Sequence, residues 1–274
     1  MTVNLSISLV VYRSDRIKLK ETLQSLSESV LYAQKEQQLA SCFLTIVDNY
    51  AAMNEEGNHN FENFISEYWF NAFQLLKPEK NLGYGLGHNF AILDKCESLH
   101  LVINPDVFVD RLAIINAIEL MKNHTDVGLL TPSARKPNGE KEYLCKSYPS
   151  VLVLLLRGFA PQGIKNLFSA QLAHYELRSM PEIMSKEVIL ASGCFMFFRG
   201  ETLKEIQGFS SDFFLYFEDF DLTLRLKKTW NILYAPSVTV IHHGGYTAKK
   251  GCRHIGLFLH SAWIFFNLYG WKLI

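Results

Sequence analysis

Apolar and polar positions along the first half of the chain switch repeatedly between two periods. Leu5–Tyr12 is a buried, β-branched and apolar run short enough for a strand. Ile17, Leu19, Leu23, Leu26, Val30 and Leu31 approximate helical spacing. Cys42–Val47 is a second apolar strand, stopping at Asp48-Asn49, and the polar stretch Asn54–Asn60 is a loop. Phe61, Phe64, Ile65 and Tyr68 fall at i, i+3, i+4 and i+7, which predicts a helix, and Phe73–Leu76 is a short strand. A glycine-rich turn, Asn81–Gly87, opens a helix carrying Phe90, Ala91 and Leu93. His100–Ile103 is a strand ending at Asn104-Pro105-Asp106, Leu112–Met121 is helical, and Val127–Thr131 is a strand. Such alternation predicts an α/β fold, a mostly parallel central sheet flanked by helices.

The second half is less regular. Tyr148–Lys186 is mixed and partly helical, with Pro149, Pro161 and Pro181 as breaks. Val188–Arg199 is a long apolar strand interrupted by Gly193, and Phe209–Phe217 is aromatic-rich. Glu218–Lys228 reads as a helix with acids at its start. Ile232–Tyr234 and Val238–His242 read as short strands separated by Pro236. There is no internal repeat, linker or low-complexity run. The expectation is a single domain over residues 1–274: a ligand-binding half (1–132), a second half (133–250), and an aromatic C-terminal helix (251–274).

Composition narrows the picture. With 27 basic and 27 acidic residues, the chain lacks the basic excess of a nucleic-acid binder. Five scattered cysteines, none in a CxxC pair, fit reduced thiols better than a disulfide framework or a zinc site. No secretory leader is read at the N-terminus, so the expected location is cytoplasmic. The tail Ile255–Ile274 is apolar but contains His260, Asn267 and Lys272. With Trp263, Phe265, Phe266, Tyr269 and Trp271 it suits either a membrane interface or docking on the core.

Ligands in open α/β sheets sit beyond the carboxyl ends of the strands. Three polar groups fall there: Tyr12-Arg13-Ser14, Asp48-Asn49 and Asn104-Pro105-Asp106. Asp48 can accept a base imino N–H or bind a ribose hydroxyl, or simply form an Asx-turn. The run Asn81-Leu82-Gly83-Tyr84-Gly85-Leu86-Gly87-His88-Asn89 lets a backbone approach a ligand closely. It has neither GxGxxG spacing nor a P-loop lysine. Asp106 alone cannot hold Mg²⁺ or Mn²⁺, but diphosphate oxygens and water can complete a shell. His242 or His243 can supply a second protein ligand. Glu218, Asp219 and Asp221 put three carboxylates into four residues, directly after Phe213–Phe217. Acids at a helix start suit the macrodipole. The aromatic run beside them suits a general base with a tuned pKa.

Together these segments resemble family 2 glycosyltransferases, and in particular the bacterial rhamnosyltransferases of surface-polysaccharide (lipopolysaccharide, O-antigen) assembly. The resemblance rests on Val10–Ser14, Val47-Asp48-Asn49, Asn81–Asn89, Asn104–Asp106, Ser192–Met196, Gly208-Phe209 with Phe213–Asp221, and His242–Gly245. It implies a GT-A (Rossmann-like) fold and inversion at the anomeric carbon. Tyr12, Ser14, Asp48, Asn81, Gly83, Gly85, Asn89, Asn104 and Asp106 would bind a nucleotide-diphosphate sugar. Asp106 and His242 would hold a divalent metal, Mg²⁺ or Mn²⁺. Asp219 would be the base, with Glu218 and Asp221 supporting the acceptor or the helix entry, and Gly193, Phe214 and Tyr216 would face the acceptor; Trp230 is a further aromatic either at the acceptor cleft or in the core. The implied donor is dTDP-L-rhamnose, and the implied acceptor a lipid-linked or lipopolysaccharide glycan at the inner face of the membrane. A UDP-hexose or galactofuranose donor, a catalytically silent nucleotide-sugar-binding subunit, and a nucleotidyltransferase are the alternatives.

Overall fold

A computed structural model describes residues 2–50, 63–244 and 251–274 of the chain. The loop expected at Asn54–Asn60, the helix position Phe61 and the motif residue Gly245 lie outside these.

The chain runs β1 (Val3–Val11), α1 (Arg16–Lys35), β2 (Leu39–Asp48), β3 (Ala72–Leu76), α2 (Gly85–Asp94), β4 (Leu99–Ile103), β5 (Val107–Val109), α3 (Ala113–Asn123) and β6 (Val127–Arg135). Then come β7 (Lys141–Glu142), β8 (Cys145–Lys146), α4 (Val151–Phe159), α5 (Gln162–Leu167), α6 (Ser169–Tyr175), β9 (Lys186–Glu187), β10 (Leu190–Ala191) and β11 (Phe195–Arg199). It closes with α7 (Gly200–Glu205), α8 (Glu218–Leu226), β12 (Asn231–His242) and α9 (Cys252–Tyr269).

The main sheet has the order β3-β2-β1-β4-β11-β6-β12-β5. β3, β2, β1 and β4 are mutually parallel, β12 is parallel to β6, and β11 and β5 run antiparallel to their neighbours. This is the mostly parallel mixed sheet that the alternating pattern predicts. Helices α1 and α3 cover one face through Leu19, Leu23, Leu26, Ile114 and Ile118. The other face packs Ile92 of α2, Leu203 of α7, and Leu222 and Leu226 of α8. A third apolar cluster, off the sheet, joins α4 and α6 to Phe213, Phe217 and α9.

Three expectations change. β1 is buried on both faces but not apolar on both. Leu5, Ile7 and Leu9 enter one core, whereas Ser6 and Ser8 bond the rings of His100 and His88 at 2.7–2.9 Å. Burial therefore leaves a polar seam that the strand tolerates because its groups find partners. The two strands expected around Pro236 are one strand, β12. Pro236 falls where its register against β6 shifts, between Ala235 and Thr239, so the missing N–H costs no regular ladder bond. Trp230 lies at the amino end of β12, remote from the strand ends that carry the other candidates, and its indole donates to Glu205 at 2.8 Å. It packs the core and shapes no cleft.

Candidate active site

Strand direction decides which residues meet. The carboxyl ends of β1, β2, β4 and β12 share one edge of the sheet. β11 enters from that edge, with Phe195 opposite Ile103, and Val107 opens β5 opposite His242. Tyr12, Asp48, Asn104–Asp106, Gly193 and His242 thus come to a single rim, as the strand-end rule anticipates.

At the β1–β2 end, Tyr12 is exposed and meets Tyr50 edge-on at 5.7 Å, and the Arg13 guanidinium lies 4.8 Å from the Tyr50 ring. Asp48 accepts from the Tyr50 N–H at 2.9 Å, the Asx-turn that strand-end aspartates form. Its second oxygen is not needed for that turn. Ser14 accepts from the Tyr12 N–H at 3.3 Å.

The glycine-rich segment is held from two sides. Asn49, buried, donates to the Gly83 carbonyl at 2.7 Å and accepts from the Leu82 N–H at 3.3 Å. Asn81 accepts from the Gly83 N–H at 2.8 Å. Gly83 has φ +80°, and an added Cβ would lie 2.1 Å from the Phe214 carbonyl oxygen, so only glycine fits. That carbonyl accepts from the Tyr84 N–H at 3.1 Å. A Cβ on Gly85 would meet Phe209 at 2.8 Å, so this glycine serves close packing. Asn89 is a correction: its side chain donates to the Phe209 carbonyl and accepts from the Phe209 N–H, both at 2.8 Å. With both polar atoms on that turn, its side chain clamps the loop at Phe209.

The group expected on the metal side joins Asp106 and His242, and an acid not singled out by the sequence, Glu142, stands against His242. His242 Nε2 stands 3.5 Å from Asp106 Oδ1, and Nδ1 stands 3.0 Å from Glu142 Oε2. Burial disfavours the imidazolium, but hydrogen bonds to Asp106 and Glu142 outweigh it and raise the pKa to about 9. Gly244 crosses this pair so closely that a Cβ would sit 2.5 Å from Asp106 Oδ2 and 2.8 Å from His242 Nε2. His243 turns the other way, 3.8 Å from Glu21, so His242 is the histidine that faces Asp106. Asn104 Oδ1 is buried without a hydrogen-bond partner. No group of three metal-type side chains is assembled among the described residues. One carboxylate, one imidazole and an unpartnered amide oxygen suit a hard divalent cation only if substrate oxygens complete the shell.

The three acids at the start of α8 separate cleanly. Tyr216 and Phe217, at φ 71° and 65°, are left-handed residues just before the helix, a strained entry for aromatic side chains. That entry aims Asp219 towards Gly193, whose N–H donates to Asp219 at 2.9 Å; the Phe220 N–H donates to the other oxygen at 2.9 Å. Asp219 is half-buried. Burial raises its pKa to about 6, although these two N–H bonds and the Lys146 charge favour ionisation. Glu218 is 5% exposed with Oε2 unpartnered, and burial followed by the Asp219 charge pushes its pKa well up. Asp221 is a second correction. It is 2% exposed, pairs with Arg225 at 2.9 Å and accepts from the Tyr269 hydroxyl at 2.6 Å. Arg225 in turn donates to the Ile206 and Gly208 carbonyls. Asp221 thus supports the helix entry, anchored to Arg225 and Tyr269, and does not face the acceptor side.

Tyr84 links the two groups. Its hydroxyl donates to the Gly193 carbonyl. Its pKa is driven well up by burial and then by the Glu218, Cys194, Asp219 and Asp106 charges, which places the metal-side and base-side acids around one phenol. Phe214 is exposed beside Gly83, and Tyr216 bonds the His254 ring at 2.8 Å, tying the rim to α9. Nothing in the local pattern singles out Tyr84, Glu142 or Lys146, since each becomes relevant only when distant segments meet.

This sheet, with its rim of strand-end acids, is the GT-A fold of glycosyltransferases. Among solved structures, the GalNAc-T7 complex with UDP, GalNAc and Mn²⁺ superposes with a TM-score of 0.64 at 13% identity, covering 90% of this chain and 44% of that one. The mannosyltransferase PcManGT of Pyrobaculum calidifontis, with GDP-Man and Mn²⁺, gives 0.59 at 15% identity, covering 91% and 60%. S. aureus TarS 1-349 gives 0.57 at 14%, covering 88% and 60%. In sequence, the N-acetylglucosaminyl-diphospho-decaprenol L-rhamnosyltransferase of Mycobacterium tuberculosis is 28% identical over a 210-residue alignment. That alignment takes in 70% of this chain and 66% of the relative, just under two thirds of its length. No family model matches the chain.

Proposed function

We propose that the chain is an inverting glycosyltransferase that moves a sugar, L-rhamnose by preference, from a nucleoside diphosphate to a lipid-linked glycan acceptor. The observation that carries this reading is the placement of Asp219 across Tyr84 and Gly193 from the Asp106–His242 pair, on the rim of a GT-A sheet. Rhamnose rests on the mycobacterial relative and on the motif resemblance; the Mn²⁺ complexes of two structural neighbours support a divalent ion.

In this reading Tyr12, Ser14 and Asp48 receive the nucleoside, and the Asn81–Gly85 backbone lies along the diphosphate. Asp106 and His242, oriented by Glu142, hold Mg²⁺ or Mn²⁺. Such an ion supplies neutralising charge for the leaving diphosphate. Asp219, fixed by the Gly193 and Phe220 N–H groups, takes the proton from the acceptor hydroxyl that attacks the anomeric carbon. Attack opposite the leaving group inverts that carbon. Phe214 and Tyr216 border the acceptor side. No described helix is long and apolar enough to cross a bilayer. In this reading a lipid-borne acceptor is met at the cytoplasmic membrane face.

The test is transfer by the Asp219→Asn variant. Turnover should fall at least about 100-fold, the usual scale for loss of a general base, while donor affinity is retained. Turnover near the wild-type rate removes Asp219 as the base.

A further inference from the structure

A cleft of about 900 Å³ opens beside the site. It is bordered at one end by Glu142 and Gly244 and at the other by Phe159 of α4 and Ile255 and Phe258 of α9. Its wall is cationic. Arg157 lies 3.1 Å from Glu176, and Arg178 lies 2.7 Å from the other oxygen of the same carboxylate. Lys146 is 7% exposed, bonds the Tyr143 carbonyl, and stands 5.9 Å from the Tyr175 ring. The Arg157 guanidinium approaches that ring too, at 5.4 Å. Lys165 adds a fourth cation by bonding the Arg157 carbonyl at 3.1 Å. Four cations therefore gather around Glu176, with Glu142 the other carboxylate whose charge reaches Lys146.

That excess costs energy in the free protein. Burial and then the Arg157 charge lower the Lys146 pKa to about 8. Glu176 is held below its ordinary range: burial pushes it up, but Arg178, Lys146 and Arg157 outweigh burial. A surface that merely needed solubility would not gather cations around a buried ammonium. Paired guanidiniums with a lysine beside them are the usual means of holding phosphate oxygens. The cleft also carries Phe159, about half exposed, where a hydrocarbon chain can lie.

We propose that Lys146, Arg157 and Arg178 form the site for a phosphate or diphosphate group that joins the acceptor glycan to its hydrocarbon carrier. This rests on the glycosyltransferase reading for the word acceptor; the anion site itself stands on the cleft. It also gives the sugar a direction. With its diphosphate held near Lys146, whose charge reaches Asp219, the first sugar beyond the diphosphate lies towards the base.

The test measures binding of farnesyl diphosphate, inorganic pyrophosphate, farnesol and phosphatidylglycerol vesicles to the full chain in the presence of a chelator. Arg157 and Arg178 are more than 40% exposed, so Arg157→Gln and Arg178→Gln are expected to fold, and thermal melting checks this. Farnesyl diphosphate should bind at least tenfold more tightly than pyrophosphate or farnesol. Each arginine variant should weaken it at least tenfold, and Asp106→Asn should leave it unchanged. Loss in Asp106→Asn with no change in the arginine variants assigns the anion to the donor site and overturns the proposal. So does equal binding of pyrophosphate, which marks a free-anion site. Binding to vesicles alone, lost in the arginine variants, marks a membrane-surface patch and overturns it as well. Nucleotide-sugar binding measured alongside separates the two claims: its failure with an intact farnesyl diphosphate site sinks the transferase reading only.

Discussion

Three acids within four residues carry three different roles, and burial explains the division. Asp219 keeps access to the rim and two N–H donors, so its carboxylate can ionise near neutrality. Because burial raises its pKa to about 6, the base is protonated in acid and free above that value. Turnover at saturating substrate should therefore rise with pH through about 6 and then level off; a flat profile between pH 5 and 8 contradicts the assignment. Glu218 has the opposite consequence. Its folded-state pKa lies above the unfolded value, so the protonated form is favoured by folding, and stability is lost as pH rises past the unfolded pKa. Glu218→Gln removes that loss and should raise the melting temperature at pH 8 more than at pH 5. Equal effects at both pH values would show that Glu218 is ionised in the fold. A buried acid that weakens the fold beside the proposed base is the usual trade between stability and activity.

Among the elements, the glycine-rich segment and α9 decide how rigid the site is. Gly83→Ala should cost about 1–3 kcal/mol, since a left-handed φ and a carbonyl clash act together. It should also weaken donor binding; denaturant unfolding and calorimetry check both effects. α9 docks on the core, one of the two expectations for the tail, and keeps an apolar outer face. Phe265 and Phe266 are buried against Phe217 and Tyr269 bonds Asp221, whereas Leu259, Trp263 and Leu268 face outward. Removing residues 252–274 should therefore unfold the α4–α8 region, seen as lost cooperativity in melting. Trp263→Ser with Leu268→Ser should keep the fold and reduce sedimentation with anionic vesicles. Retained melting after truncation would mean that the packing of α9 is dispensable.

At the scale of the molecule, the sequence disclosed the fold well because the strand-helix alternation of residues 5–131 is a local pattern. β5, β7, β8 and β9 were not legible, because two- or three-residue strands have no period and exist only through their partners; Val188–Arg199, expected as one strand, divides at Gly193 into β10, paired with β8, and β11 of the main sheet. The strand-end rule located Asp48, Asp106 and His242, since strand direction alone brings them to one rim. It could not separate Asp219 from Asp221, or a donor contact from a loop clamp at Asn89. Those distinctions depend on Arg225, Tyr269 and Phe209, which arrive from elsewhere in the chain. Glu142 and Lys146 lie in a segment with no motif and gain meaning only from the cleft.

The central claim is that this rim binds a nucleoside-diphosphate sugar with a divalent ion. Calorimetric titration of dTDP-rhamnose, UDP-hexoses and GDP-mannose, with and without Mn²⁺ or Mg²⁺, tests it directly on the wild type and on Asp106→Asn. The account predicts selective binding of dTDP-rhamnose, strengthened at least tenfold by the metal, with that gain abolished in Asp106→Asn. Metal-strengthened binding of a different donor keeps the site and replaces the sugar. No binding of any nucleotide sugar, with or without metal, contradicts the account.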